Sequence, residues 1–262
     1  MEIAQYDLEI HNLSLSFGGV MALNHVDLKV KKGIVFSLIG PNGAGKTSLV
    51  NCISKFYVPQ EGRIIYKGRV ITNLPPYEVA SCGISRTFQN IELFKGMTVL
   101  DNIKLGRHIN LRSGPLSGLI YWGKAKREEE ELEAFLDREV LGFLGLTSIK
   151  NRAVATLPYG LQKRVDLARA LSPKPDFLIL DEPMAGMNRE ERQDMMKHIL
   201  EIKNIWGLTI LLIEHDMEVV MNISDWIAVM NFGQKIAEGD PEAMKKNPEV
   251  IRIYLGHSFN PG

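Results

Sequence analysis

The period of apolar positions changes several times along the chain, and each change marks an element. Residues 8–16, 26–30 and 34–39 read as strands. The third is short, continuous and apolar, as a strand buried on both faces should be. A helix follows from about Lys46, with Leu49, Val50 and Ile53 at helical spacing. Residues 62–66 and 70–71 read as paired strands around Lys67-Gly68-Arg69. Residues 106–123 mix Gly, Ser and Leu with weak periodicity and read as a loop or insertion. From Lys124 to about Leu144 the chain turns helical, with Leu132, Phe135, Leu136, Val140 and Phe143 on one face. The acidic run 128–131 inside it reads as a solvated face.

Strand patterns return at residues 177–180 and 209–213, each with helical pattern nearby. Strands that alternate with helices predict an α/β fold with a mostly parallel sheet. Residues 227–230 and 234–238 form two further short strands around Asn231-Phe232-Gly233, and residues 242–255 read as a terminal helical segment.

Composition narrows the class. The 262 residues are 45% hydrophobic and 24% charged, ordinary for a globular protein. Thirty-one basic residues balance 31 acidic ones, which gives no support for a general nucleic-acid binder. Cys52 and Cys82 lack metal-site or disulfide-framework spacing and read as buried, reduced thiols. The amino-terminal residues lack the pattern of a signal peptide. No apolar run approaches the roughly 18 residues that suggest a membrane span, so a membrane role is expected to come through a partner.

The candidate chemistry begins at Gly40-Pro41-Asn42-Gly43-Ala44-Gly45-Lys46-Thr47, which fits GxxxxGK[ST]. Glycines let backbone N–H groups turn inward and cradle phosphates, and the helix that follows points its positive end at the anion. Lys46 is expected to reach the outer phosphates, and Thr47 to place its hydroxyl on Mg²⁺. A second signal is the apolar run 177–180 that leads into Asp181-Glu182. An acid there sits at the carboxyl end of a buried strand, where α/β sheets hold ligands. Asp181 is expected to hold Mg²⁺ opposite Thr47 on an adjacent strand, and Glu182 to polarise a water attacking the γ-phosphate.

With these residues in the family's order, the sequence resembles the ATP-binding cassette (ABC) family of transporter ATPases. It is most similar to the branched-chain amino-acid importer group through Gly83-Ile84-Ser85-Arg86-Thr87-Phe88-Gln89-Asn90, Met97-Thr98-Val99, Ile236-Ala237-Glu238-Gly239 and Tyr254-Leu255-Gly256. The resemblance implies a P-loop NTPase core with a mostly parallel sheet, an antiparallel β subdomain and a helical subdomain. Residues 1–88 and 163–240 would form the core with its β subdomain, 89–162 the helical subdomain and 241–262 a terminal segment.

The resemblance also assigns roles. Phe17 matches an aromatic that stacks on adenine, against the alternative of a core phenylalanine. ATP would lie on Asn42, Gly43, Ala44, Gly45, Lys46, Thr47 and Ser48. Gln89 matches a glutamine that touches Mg²⁺ or the lytic water, and His215 a histidine that senses the γ-phosphate. Leu157-Pro158-Tyr159-Gly160-Leu161-Gln162 occupies the place of the Leu-Ser-Gly-Gly-Gln signature, with a helix expected from near Gly160. Tyr159, Gly160 and Gln162 would cap ATP held by a second ABC ATPase subunit. Two residues depart from the pattern. Pro158 replaces the signature serine, and Asn188 stands where many members carry aspartate. Both leave a pair with a different ATPase subunit open beside a homodimer.

The expected partners are that second subunit, transmembrane permease subunits and an extracytoplasmic solute-binding protein, at the cytoplasmic face of the membrane, without nucleic acid. The helical region around 91–105 would relay movement to the permease, with Leu93, Phe94 and Met97 as docking or core residues. A soluble DNA-repair or translation ATPase is the alternative. Such machines usually carry a coiled-coil insertion or two cassettes, and neither pattern is in this sequence.

Overall fold

A computed structural model describes residues 5–107 and 124–255. Most of the stretch read as a loop or insertion, and Gly256, lie outside the described residues. In chain order the elements are β1 (Tyr6–Phe17), β2 (Val20–Lys31), β3 (Val35–Ile39), α1 (Lys46–Ile53), β4 (Glu61–Tyr66), β5 (Arg69–Val70), α2 (Pro76–Ser81) and β6 (Ile84–Arg86). Then come α3 (Val99–Leu105), α4 (Lys124–Leu136), α5 (Tyr159–Leu171), β7 (Phe177–Asp181), α6 (Arg189–Trp206), β8 (Thr209–Ile213), α7 (Met217–Ile223), β9 (Trp226–Asn231), β10 (Gln234–Gly239), α8 (Pro241–Lys246) and α9 (Pro248–Leu255).

The chain divides into two compact units. The first comprises Met1–Arg86, Asp176–Glu182 and Ile199–Gly262, and the second Thr87–Pro175 and Pro183–His198. In the first unit, β2-β1-β4-β5 form an antiparallel sheet, and β10-β9-β3-β8-β7-β6 a second sheet. The second sheet is parallel from β9 to β6, with β10 antiparallel at its edge. Every residue of β3, β7 and β8 is buried, which explains their nearly continuous apolar runs, interrupted in β3 by Ser37. The core joins both sheets to α1 through Leu8, Ile10, Phe36, Leu49, Ile53 and Phe177. The ring of Phe177 meets Tyr66 edge-on, with centroids 5.9 Å apart.

The strand β6 and the short helix α2 carry no apolar period long enough to read. β6 exists because β7 supplies its ladder, Ile84 pairing with Phe177 and Arg86 with Ile179. The terminal segment read as one helix is two. Asn247 ends α8 in extended backbone because Pro248 follows it, and the next helix then restarts.

In the second unit, the helical region expected around 91–105 starts only at Val99. Thr98 caps α3 by accepting from the Asp101 N–H at 3.1 Å. Buried Asn102 then ties down the irregular stretch before it. Its Oδ1 accepts from Phe94 N at 2.8 Å, and its Nδ2 donates to the carbonyls of Phe94 at 3.1 Å and Thr98 at 2.9 Å. Leu93 is buried, Met97 half-buried and Phe94 exposed. After α4 the helix widens into a π-turn over Asp137–Leu141, with the Gly142 N–H bonded to the Asp137 carbonyl. This turn shifts the buried face. Leu132, Leu136 and Val140 are buried as expected, Leu141 and Leu144 join them, and Phe135 and Phe143 stay half-buried. Glu130 and Glu131 are solvated, whereas Glu129 and Glu133 hold Lys104.

Asn102→Ala strands the Phe94 N–H, while the Phe94 carbonyl keeps the Met97 N–H. It should cost roughly 1–3 kcal/mol, read by urea unfolding, and speed amide exchange at residues 94–98.

Candidate functional site

The loop 40–47 leaves the end of β3 and enters α1. Gly45 has φ +100°, and a Cβ there would lie 2.5 Å from the Ala22 carbonyl oxygen, so only glycine fits. The Ala44 carbonyl accepts from Gly233 N at 3.0 Å, which ties the loop to the β9–β10 turn. Asn42, Gly43 and Thr47 are exposed, Ser48 is half-buried and Ala44 is buried. Lys46 is buried, and its Nζ donates to the carbonyls of Gly40 at 2.7 Å and Pro41 at 2.9 Å. Burial lowers its pKa, while the charges of Glu182 and Asp181 pull it back up. A desolvated ammonium that is hydrogen-bonded to carbonyls can exchange them for phosphate oxygens, which form stronger charge-assisted bonds.

Asp181 ends β7. Its Oδ2 accepts from Arg86 Nη2 at 2.7 Å, and Arg86 Nη1 donates to Asn51 Oδ1 on α1 at 2.7 Å. Both ionic side chains are buried, at 8% and 3% exposure. Thr47 and Asp181 do not face each other from adjacent strands as the sequence suggested. The strand β8 lies between β3 and β7, because its apolar run, buried throughout, pairs with both. The acids still reach the loop electrostatically, as the effect on Lys46 shows.

Glu182 follows with φ +48°, a left-handed conformation rare outside glycine and often found at functional sites. Its N–H still reaches the Ile213 carbonyl at 3.0 Å, so the chain turns sharply only after one further sheet bond. His215 is exposed, and its Nδ1 lies 3.9 Å from Glu182 Oε1, beyond hydrogen-bond range. Glu214 is a buried acid absent from the sequence reading, although it follows the β8 run as Asp181 ends the β7 run. Phe17 is 46% exposed, which removes the core reading. Its ring meets Tyr57 edge-on at 5.0 Å, and nothing in the sequence singled out Tyr57.

Gln89 and residues 157–162 belong to the second unit, whereas the loop, the acids, Phe17 and His215 belong to the first. Within the second unit, α5 holds the stretch around Gln89. Lys163 Nζ donates to the Gln89 carbonyl at 3.0 Å, and Arg169 Nη1 to the Glu92 carbonyl at 2.5 Å. Burial pushes the Asp166 carboxyl up, against the opposing charges of Arg169 and Lys163. Pro158 stands at the N-cap of α5, where its ring offers no side-chain acceptor. The amide of Gln162 turns back to donate to the Leu157 carbonyl at 2.8 Å. A Cβ on Gly160 would lie 2.4 Å from Glu191 Oε1, and exposed Tyr159 packs over Gly186. Asn188 and Glu191 form a reciprocal capping box, each backbone N–H donating to the other's side chain at 3.0 Å. That role needs an amide or carboxylate oxygen and no charge, which accounts for Asn188.

Residues 23–185 match the family described as ABC transporter, and residues 234–260 the family described as branched-chain amino acid ATP-binding cassette transporter. The chain belongs to the ABC transporter family. The cassette is 43% identical over 251 residues to the high-affinity branched-chain amino acid transport ATP-binding protein BraF of Pseudomonas aeruginosa, covering 96% of this chain and 98% of that one. It is 42% identical over 253 residues to the corresponding LivG of Escherichia coli K12, covering 96% and 98%. The crystal structure of the ADP conformation of MJ1267, an ATP-binding cassette of an ABC transporter, matches with a TM-score of 0.83 at 38% identity, covering 96% and 99%. The cassette is therefore an α/β nucleotide-binding protein that binds and hydrolyses ATP.

Arg86→Met removes a cation from the buried Asp181 carboxylate of the cassette. It should lower stability by about 3–5 kcal/mol in urea unfolding. Asn188→Ala should cost roughly 1 kcal/mol by the same measurement, whereas Asn188→Asp, which keeps the acceptor, should stay near wild type.

Proposed function

We propose that the cassette powers an importer for branched-chain or other hydrophobic amino acids, by ATP-dependent closure of two ATPase subunits. The observation that carries the nucleotide site is Lys46, folded over its own loop and under the charge of both Asp181 and Glu182. The transport assignment draws on the match at residues 234–260 and on the names of the relatives.

In this reading the triphosphate lies on residues 40–47 and displaces the carbonyls that now hold Lys46. Phe17 carries the base. Among the described residues no group of three acidic, His or Cys side chains could cage a metal. The Thr47 hydroxyl and the Asp181 carboxylate are hard oxygen donors, which suits Mg²⁺ arriving with the phosphates, and Gln89 would join them. Bound Mg²⁺ would neutralise phosphate charge. Glu182 takes up the proton of the attacking water, and His215 senses the γ-phosphate. The amino end of α5, with Tyr159, Gly160 and Gln162, faces the nucleotide of the second subunit. Pro158 weakens that face by two donors, the serine hydroxyl and its backbone N–H, which favours a homologous partner with an intact signature as much as a second copy.

Residues 89–162 act as the helical subdomain, between the core segments 1–88 and 163–240, with 241–262 as a terminal segment. Exposed Phe94 is the docking residue of its apolar set. No helix among the described residues is long and apolar enough to cross a membrane. Membrane attachment in this reading runs through permease subunits on the cytoplasmic face, and a solute-binding protein delivers the amino acid.

The test is sedimentation of Glu182→Gln with and without ATP. A dimer that forms only with ATP, and is lost in Glu182→Gln/Lys46→Ala, supports the clamp. A monomer at saturating ATP that dimerises only with an added homologous ATPase supports the asymmetric pair. A monomer under both conditions overturns the mechanism.

A further inference from the structure

Phe17 ends β1 at the tip of the β1–β2 hairpin, paired with Val20 across the turn. A ring in such a place would ordinarily swing between rotamers, since nearly half of its surface is open. Here a second segment, residues 55–60, fixes it from one side. Gln60 grips the residue before Phe17 with both ends of its amide. Its Oε1 accepts from Ser16 N at 2.9 Å, and its Nε2 donates to the Ser16 carbonyl at 3.1 Å. The Gln60 N–H adds a bond to the Ser14 carbonyl at 3.0 Å. The side chain thus stands in for a missing neighbouring strand along the last residues of β1.

The other end of the segment is anchored on α1, the helix that begins with Lys46. The N–H groups of Phe56 and Tyr57 both donate to the Asn51 carbonyl, at 2.8 and 3.1 Å. Lys55 makes the turn that permits this with φ +64°, and its ammonium is bonded to the Thr72 carbonyl. Between the two anchors the Tyr57 ring meets Phe17 at an interplanar angle of 70°, with centroids 5.0 Å apart. This edge-on geometry joins the positive rim of one ring to the negative face of the other and defines the tilt of both. It leaves Phe17 exposed for a further stacking partner.

We propose that Tyr57 is a positioning residue for the nucleobase: held between the Asn51 and Gln60 anchors, it sets the tilt of Phe17 and keeps a Phe17 face open to a purine. The inference rests on the reading of Phe17 as the base platform. A stacking surface fixed before binding loses less rotamer freedom when the base arrives, so the gain appears in affinity and not in chemistry. Gln60 contributes in the same direction by fixing the backbone of Ser16.

The experiment separates base from phosphate recognition. Affinities for ADP and for tripolyphosphate, which has no base, are measured by titration calorimetry on the full chain and on Phe17→Ala, Tyr57→Ala, Tyr57→Phe and Gln60→Ala. Tyr57→Ala should weaken ADP roughly three- to tenfold and leave tripolyphosphate unchanged. Tyr57→Phe should restore wild-type affinity, because the ring and not the hydroxyl does the positioning. In ATP turnover, Tyr57→Ala should raise KM by a similar factor with kcat within about twofold. If Phe17→Ala binds ADP as wild type does, the platform reading falls and the Tyr57 role with it. If Phe17→Ala weakens ADP while Tyr57→Ala does not, only the Tyr57 role is overturned. Equal losses for ADP and tripolyphosphate in Tyr57→Ala also overturn it, since that residue would then serve the fold of the loop. Tyr57 is an exposed side chain, and Tyr57→Phe keeps the test open should the alanine variant fold poorly.

Discussion

The buried strands β3, β8 and β7 satisfy their backbone groups inside the sheet, on one another and on β9 and β6, because packed side chains keep water from both faces. Charged side chains are therefore excluded along their length and concentrated where they end. Gly40 follows β3, Asp181 closes β7 with Glu182 behind it, and Glu214 and His215 follow β8. The parallel arrangement brings those ends to one side of the sheet. A phosphate loop, three acids and a histidine thus gather in the first unit from three separate stretches of the sequence.

The buried ions of this cluster have partners before nucleotide arrives. Arg86 neutralises Asp181 from β6 and ties both to α1 through Asn51, while Lys46 leans on two carbonyls of its own loop. Ionic groups this deeply buried are tolerated only when paired or hydrogen-bonded. The free cassette accordingly holds Lys46 in place with bonds that a polyanion can replace. Glu182 keeps a strained backbone at the same point, which the sheet bond to Ile213 helps to enforce.

The second unit uses the same economy of local bonds to shape the segments around Gln89 and the signature. Lys163 and Arg169 project from α5 to the carbonyls of Gln89 and Glu92, so the signature helix and the Gln89 stretch are one hydrogen-bonded assembly. The two departures from the family pattern differ in kind. Asn188 preserves a capping box that any short side-chain oxygen can make. Pro158 leaves the N-cap of α5 without a side-chain acceptor, and the helix starts at Tyr159 all the same.

The sequence by itself determined the elements whose signal is local. The apolar runs of β3, β7 and β8 stand at their observed places, and the glycine-rich loop and the acids after β7 needed only neighbours in sequence to be recognised. The helix expected from near Gly160 starts at Tyr159, and its Val165, Ala168 and Leu171 are buried. Tertiary structure decided whatever depends on distant partners. The strand β6 is three residues long and is a strand only because β7 pairs with it. The insertion of β8 between β3 and β7 reflects which buried ladders can close, a choice that an apolar run does not encode. The late start of α3 follows from Asn102 reaching back to Phe94, and the edge-on pair of Phe17 and Tyr57 from a loop folded against a hairpin 40 residues away. Periodicity reports what a segment buries, whereas the identity of what covers it is settled only when the chain closes.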